Sequence, residues 1–177
     1  MRIILVRHTK TECKTGICYG QSDALPDSFF DEDKKKIMGK LAKYKYSTIY
    51  TSPLKRCLML AQFIAGGRKL IVDKRLKELN FGDWEMKHWD DISKTSYAKR
   101  WFADYVNIPC PNGESFAQLT ERIKSFIIDL EQTKAENVLI ITHSGPIRAF
   151  FTLINHRSPE KLFDIEIDYG LVSVLDI

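Results

Sequence analysis

The chain has 177 residues, 44% of them hydrophobic and 28% charged, with 27 Lys and Arg against 23 Asp and Glu for a formal net charge of +4. A chain of this length buries roughly 70% of its unfolded surface, so one domain is expected, folded without disulfides or metal. The positive surplus is mild and scattered, which excludes a nucleic-acid-binding tail, and the longest aliphatic stretch, residues 138–141, is far shorter than the ~20 residues of a membrane helix.

In chain order, residues 3–6 (Ile-Ile-Leu-Val) form the first strand candidate, too short for the core of a secretory signal. Cys13, Cys18, Cys57 and Cys110 contain no Cys-x-x-Cys pair and are read as reduced thiols of a cytoplasmic protein rather than zinc ligands. The charge-rich runs 31–36 and 40–45 read as solvated helix faces. Residues 47–50 give a second strand. The helix after it starts with Ser52 as cap and Pro53 in first position, carries Leu54, Leu58, Ala61 and Ala65 as a stripe, and ends at Gly66-Gly67. Trp84, Trp89, Tyr97, Trp101, Phe102 and Tyr105 mark an aromatic region whose helical spacing means packing in the main, or a helical lid-like insertion at about 84–110. Phe116, Leu119, Ile123, Phe126, Ile127 and Leu130 form the clearest helical stripe, with Glu114 and Ser115 at its cap. Residues 138–142 are the third strand, Gly145-Pro146 starts another helix, and residues 171–175 close the chain as a strand. Strands alternating with helices over a single domain, 1–177, predict an α/β three-layer sandwich with a mostly parallel central sheet and helices on both faces.

Arg7-His8 follows the first strand, Arg56 lies one helical turn past the second, and His143 follows the third. Open α/β sheets bind ligands beyond the carboxyl ends of their strands, so these residues can converge. Helix starts at Pro53 and Pro146 would add partial positive charge to the same crevice. Two arginines, two histidines and two helix starts make a site for a dianion, with phosphate the obvious candidate. Singly, Arg7-His8 reads as a strand-end pair bonded to loop carbonyls, Glu78 as a solvated carboxylate and His143 as a core histidine. Only their combination outweighs those readings. His88 and His156 belong to no motif and are assigned to the surface, and Arg148 reads as an ion-pair partner rather than a ligand.

Arg7-His8-Thr9-Lys10-Thr11, Tyr50-Thr51-Ser52-Pro53-Leu54-Lys55-Arg56, Leu76-Lys77-Glu78-Leu79-Asn80-Phe81-Gly82-Asp83-Trp84-Glu85 and Thr142-His143-Ser144-Gly145 resemble, in order, the four signatures of the histidine phosphatase superfamily, the phosphoglycerate-mutase-like proteins. Cys18-Tyr19-Gly20-Gln21-Ser22-Asp23, Trp84-Glu85-Met86 and Pro111-Asn112-Gly113-Glu114-Ser115 look most like α-ribazole phosphatases of the cobalamin pathway. The resemblance implies a two-step phosphoryl transfer, with no cofactor and no metal, on a small-molecule phosphate ester rather than nucleic acid or membrane. His8 would attack phosphorus and Glu78 would serve as general acid, then base. Arg7, Arg56, His143 and Ser144 would hold the phosphate, and Lys14, Tyr19, Gly20 and Glu114 would border the substrate. A nucleophilic imidazole must be neutral, with its other ring nitrogen hydrogen-bonded, whereas His143 would suit the phosphate best when protonated. The substrate implied is α-ribazole 5'-phosphate. The alternatives are a phosphoglycerate mutase, a broad-specificity sugar or nucleotide phosphatase, and a non-catalytic phosphate-binding protein; binding alone needs neither His8 nor Glu78. Thr9 stands where the family commonly has glycine, which would strain a positive φ. Lys14 falls about where the mutases have an asparagine. No feature of the sequence sets an oligomeric state.

Overall fold

The computed structural model describes residues 1–159, 161 and 165–177. Five strands make one sheet: β1 (Arg2–Arg7), β2 (Thr48–Thr51), β3 (Leu70–Val72), β4 (Asn137–Thr142) and β5 (Val172–Asp176), in the order β3-β2-β4-β1-β5. All neighbours are parallel except β5, which runs antiparallel to β1 on the sheet's edge. The helices are α1 (Phe30–Leu41), α2 (Lys55–Ala65), α3 (Trp89–Ser93), α4 (Ser96–Ala103), α5 (Phe116–Gln132) and α6 (Ser144–Asn155).

The apolar runs are continuous because both faces of the sheet are covered. Ile4, Val6, Ile49, Leu139 and Ile141 pack with Ile37 and Leu41 of α1 and Leu60, Ala61 and Ile64 of α2. On the opposite face Ile3, Leu5, Val138 and Ile140 pack with Leu119, Ile123 and Phe126 of α5 and Ile147 and Phe150 of α6. Successive side chains point to opposite faces, so one run of sequence feeds two cores. Each fully buried Leu, Ile or Phe contributes about 1.5–3 kcal/mol of transfer free energy.

One strand and two boundaries differ from the sequence reading. β3 is absent from that reading, because its three residues are too few to show a periodicity. The charged run 40–45 lies mostly past α1, which ends at Leu41; the run 31–36 does lie within that helix. Helix α2 begins at Lys55, two residues after Pro53, and Ser52 does not cap it. The Ser52 hydroxyl accepts from the Leu54 N–H (3.3 Å), just ahead of the helix, and from the His143 ring, while the Asp23 carboxylate accepts from the Lys55 backbone N–H at 2.7 Å. At the other end Gly66 has the expected left-handed conformation, φ 51°.

Between β3 and α5 the chain crosses the open end of the sheet. Trp84 and Trp101 are buried there, their rings 5.3 Å apart edge to face, and Trp89 lies against Trp101. Gly82 is required at φ +54°, and a Cβ on it would sit 2.0 Å from the Pro111 carbonyl oxygen. Gly66 has a similar φ but open space around it. Gly66→Ala should therefore cost only the left-handed strain, about 1 kcal/mol, whereas Gly82→Ala adds a backbone collision and should cost roughly 3 kcal/mol. Urea unfolding of both variants measures the difference.

Candidate active site

β1, β2 and β4 are parallel neighbours, and Arg7 pairs in register with Thr142 while Thr51 pairs with Ile141. Their carboxyl ends therefore open at one level, and the residues that follow them surround a cleft of about 910 Å³. Arg7, His8, Arg56, Glu78 and Ser144 line it together, although the first and last are 137 positions apart in the chain. Lys14 and Tyr19 also reach its wall.

His8 is 2% exposed. Its Nδ1 lies 2.7 Å from the Thr9 carbonyl oxygen, which can only accept, so Nδ1 carries the proton and Nε2 keeps its lone pair. Burial first, and then the charges of Arg56 and Arg7, push its pKa well below the ordinary histidine value. The ring is therefore neutral at neutral pH, with its tautomer fixed. Thr9 has no positive φ, so the side chain at that position brings no backbone strain. Arg7 lays its guanidinium 3.9 Å from the centre of the Tyr169 ring and donates through Nη1 to the Ile167 carbonyl. Arg7 Nε is buried with no hydrogen-bond partner among the described residues, a donor suited to an anion.

Arg56 is fully buried on the first turn of α2. It donates from Nη1 to the Ser22 carbonyl (2.8 Å), from Nη2 to the Gly20 carbonyl (2.5 Å) and from Nε to Nδ1 of His143 (3.2 Å). Because arginine only donates, His143 Nδ1 is unprotonated, and Nε2 carries the proton toward Ser52 Oγ at 2.8 Å. His143 sits fully buried behind His8, ring centroids 5.0 Å apart, rather than in the cleft wall. Burial, followed by the charges of Arg56 and the neighbouring His8, lowers its pKa well below the usual value. This corrects the expectation of a protonated His143: the positive charge in the site belongs to the arginines.

Glu78 is 9% exposed, and its carboxylate accepts from the backbone N–H of Leu79 (2.9 Å), the N–H of Gly145 (3.0 Å) and the hydroxyl of Ser144 (3.1 Å). The two helix starts thus face carboxylates, Glu78 on α6 and Asp23 on α2, where the sequence reading aimed them at a ligand. A dipole end favours whichever anion reaches it first, and these side chains are tethered there.

A sequence profile of the histidine phosphatase superfamily (branch 1) matches residues 3–177. The chain belongs to the histidine phosphatase superfamily. It is 32% identical over 174 residues to a Hydrogenobacter thermophilus protein provisionally named phosphoserine phosphatase 2, covering 94% of this chain and 85% of that one. It is 29% identical over 184 residues to the adenosylcobalamin/alpha-ribazole phosphatase of Salmonella typhimurium, covering 100% of this chain and 91% of that one. The crystal structure of the alpha-ribazole phosphatase from Shigella flexneri superposes with a TM-score of 0.90 at 25% identity, covering 100% of this chain and 91% of that chain. The fold is that of phosphoglycerate-mutase-like proteins, and membership supports a phosphoric monoester hydrolase.

Two residues expected at the substrate border of this histidine phosphatase lie elsewhere. Glu114 lies outside the cleft, where the Arg122 guanidinium compensates its charge (2.9 Å) and the Asn80 N–H donates to it. Gly20 also lies behind the wall: its carbonyl faces Arg56, and a Cβ would sit 2.0 Å from the Leu79 carbonyl oxygen. Ser115 caps α5 in a reciprocal box with Gln118. Arg148, read as an ion-pair partner, reaches the cleft wall and donates to the Ile165 carbonyl. His88 is half-buried and caps α3, and His156 is exposed. Sequence reasoning missed Arg122, whose guanidinium holds the carbonyls of Arg75, Lys77 and Glu78, and Tyr169, whose hydroxyl meets that of Tyr19 at 2.6 Å. It also missed Cys57, whose thiol lies 3.4 Å from His143 Nε2 and whose pKa burial raises. None belongs to a recognisable spacing.

The neutral histidines set a pH dependence. Below the ordinary value near 6.5 the unfolded chain takes up protons that His8 and His143 refuse while folded, so stability is full above that pH and is lost as pH falls. Each contributes a limiting slope of about 1.4 kcal/mol per pH unit between the two values. Urea unfolding between pH 7.5 and 5, taken as about that range, should show a decline that His143→Asn reduces by close to one proton.

Proposed function

We propose that the chain is a metal-independent phosphomonoesterase working through a phosphohistidine, with α-ribazole 5'-phosphate as substrate. The observation that carries the reading is His8, a neutral imidazole with Nδ1 committed to the Thr9 carbonyl, in a cleft it shares with Arg7, Arg56 and Glu78. His8 Nε2 attacks phosphorus while the bond to the alcohol oxygen breaks, and Glu78, entering this step as the carboxylic acid and leaving it as the carboxylate, delivers the proton that oxygen needs. Water then attacks the phosphohistidine, Glu78 takes its proton, and orthophosphate departs with His8 neutral again. Charge grows on the three equatorial oxygens, where Arg7 and Arg56 offer fixed donors and the Ser144 hydroxyl joins them once its proton turns from Glu78 to the phosphoryl group, with His143 holding Arg56 from behind.

The substrate reading is supported by the aromatic composition of the cleft wall. Phe81, Trp89, Trp101, Phe102 and Tyr105 line the cleft, with Phe81 and Trp89 centroids 5.4 Å apart and Trp101 and Phe102 5.1 Å apart. A flat aromatic leaving group such as a benzimidazole riboside fits such a wall better than a three-carbon acid does. The likeness to the Salmonella and Shigella phosphatases points the same way. We read residues 84–110, with α3 and α4, as the lid-like cover of that cleft within a single domain. A reducing cytoplasm suits four free cysteines, three of them buried. Phosphoserine is the competing substrate, favoured by the 32% identical relative, and 3-phosphoglycerate tests the mutase alternative.

Rates on α-ribazole 5'-phosphate, phosphoserine, 3-phosphoglycerate and nitrophenyl phosphate separate these readings. We expect α-ribazole 5'-phosphate to have the highest kcat/KM; equal rates across the panel would remove the substrate assignment. His8→Ala should lose about 10⁴-fold or more in kcat while still binding orthophosphate. Phe102→Ala, at a half-exposed ring, should lower kcat/KM about fivefold for α-ribazole 5'-phosphate and leave phosphoserine unchanged.

A further inference from the structure

Glu85 lies outside the cleft lining, yet its carboxylate collects five hydrogen bonds. Oε2 accepts from the Gly20 N–H (2.9 Å), the Ser22 N–H (3.0 Å) and the Ser22 hydroxyl (2.6 Å); Oε1 accepts from the Gln21 N–H (2.8 Å) and the Phe81 N–H (3.2 Å). All five donors are uncharged, and four of them belong to the loop 20–22. The carbonyls of that same loop, Gly20 and Ser22, are the ones that receive the Arg56 guanidinium.

One peptide unit connects the two charges directly. The Gly20 carbonyl accepts from Arg56 Nη2, and the N–H on the other side of that peptide bond, on Gln21, donates to Glu85 Oε1. A carboxylate on the N–H side polarises the amide and makes its carbonyl a better acceptor for the guanidinium. The loop cannot shift without breaking bonds at both ends. We infer that Glu85 is a positioning residue for phosphate binding: it clamps the loop 20–22 so that the Gly20 and Ser22 carbonyls hold Arg56 in the orientation that receives the anion.

An amide at position 85 keeps one acceptor but turns an NH₂ group toward backbone N–H donors, so Glu85→Gln opposes donor to donor. The inference rests on Arg56 as a phosphate ligand, and the test separates the two. Orthophosphate affinity is measured by calorimetry on wild type, Glu85→Gln, Arg56→Lys and the double variant, with circular dichroism as the check on folding. Arg56→Lys keeps a charge but loses the fork that spans two carbonyls and an anion. Glu85→Gln should weaken orthophosphate about tenfold in the wild-type background and less than about twofold beside Arg56→Lys. A purely structural role would weaken both backgrounds alike and overturns the inference, as does an unchanged affinity in Glu85→Gln. If Arg56→Lys itself leaves affinity unchanged, the phosphate-ligand reading of Arg56 fails instead, and the inference with it. Ser22→Ala removes only the 2.6 Å hydroxyl bond and decides the matter should Glu85→Gln not fold. It should weaken orthophosphate about threefold and lower kcat more than it raises KM, and no change in either overturns the clamp.

Discussion

Arg56 is cut off from solvent, and a buried guanidinium must be met by oriented acceptors or it expels itself. The acceptors found here are two loop carbonyls and one imidazole nitrogen. Each of them is then constrained in turn. The loop that offers the carbonyls is fastened by Glu85 and, through Asp23, to the first turn of the helix that carries Arg56. The imidazole that accepts from Nε must stay unprotonated at Nδ1, which directs its remaining proton to Ser52. The position of one cation thereby fixes a loop, a helix start and a histidine tautomer.

The same logic of paired polar groups runs through the other half of the site. Glu78 is approached by the amide of Leu79 and by the first turn of α6, while Arg122 grips the carbonyls on the chain just before it and the Glu78 carbonyl itself. Gly145 leaves no room for a side chain, since a Cβ there would lie 2.2 Å from Glu78 Oε1. His8 lies between these two arrangements, neutral because burial and two guanidinium charges both penalise its protonation. A site assembled this way presents positive charge and a lone pair side by side.

Much of this was legible from residues in order. The apolar runs at 3–6 and 138–142 identified buried parallel strands because covering a sheet on both faces suppresses alternation. The stripe from Phe116 to Leu130 identified α5, and its cap at Ser115 followed from residue type. Arg7, His8, Arg56, Glu78 and Ser144 were readable because each stands at a fixed offset from a strand end or within a signature. Glu114 and Gly20 went astray because a position inside a signature says nothing about which side of a loop a group will face. Arg122, Tyr169 and Cys57 carried no local pattern at all.

The sequence by itself determined β1, β2, β4 and β5, the principal helices and the chemical types gathered after β1, β2 and β4, since periodicity, strand composition and motif spacing depend on neighbours within a few positions. Only the tertiary structure decided that His143 is a neutral, buried support for Arg56, that carboxylates occupy the two helix starts, and that aromatic side chains line the same cleft as the arginines. Those outcomes depend on desolvation and on donors and acceptors from distant segments meeting within 3 Å or so, and neither quantity exists until the chain is folded.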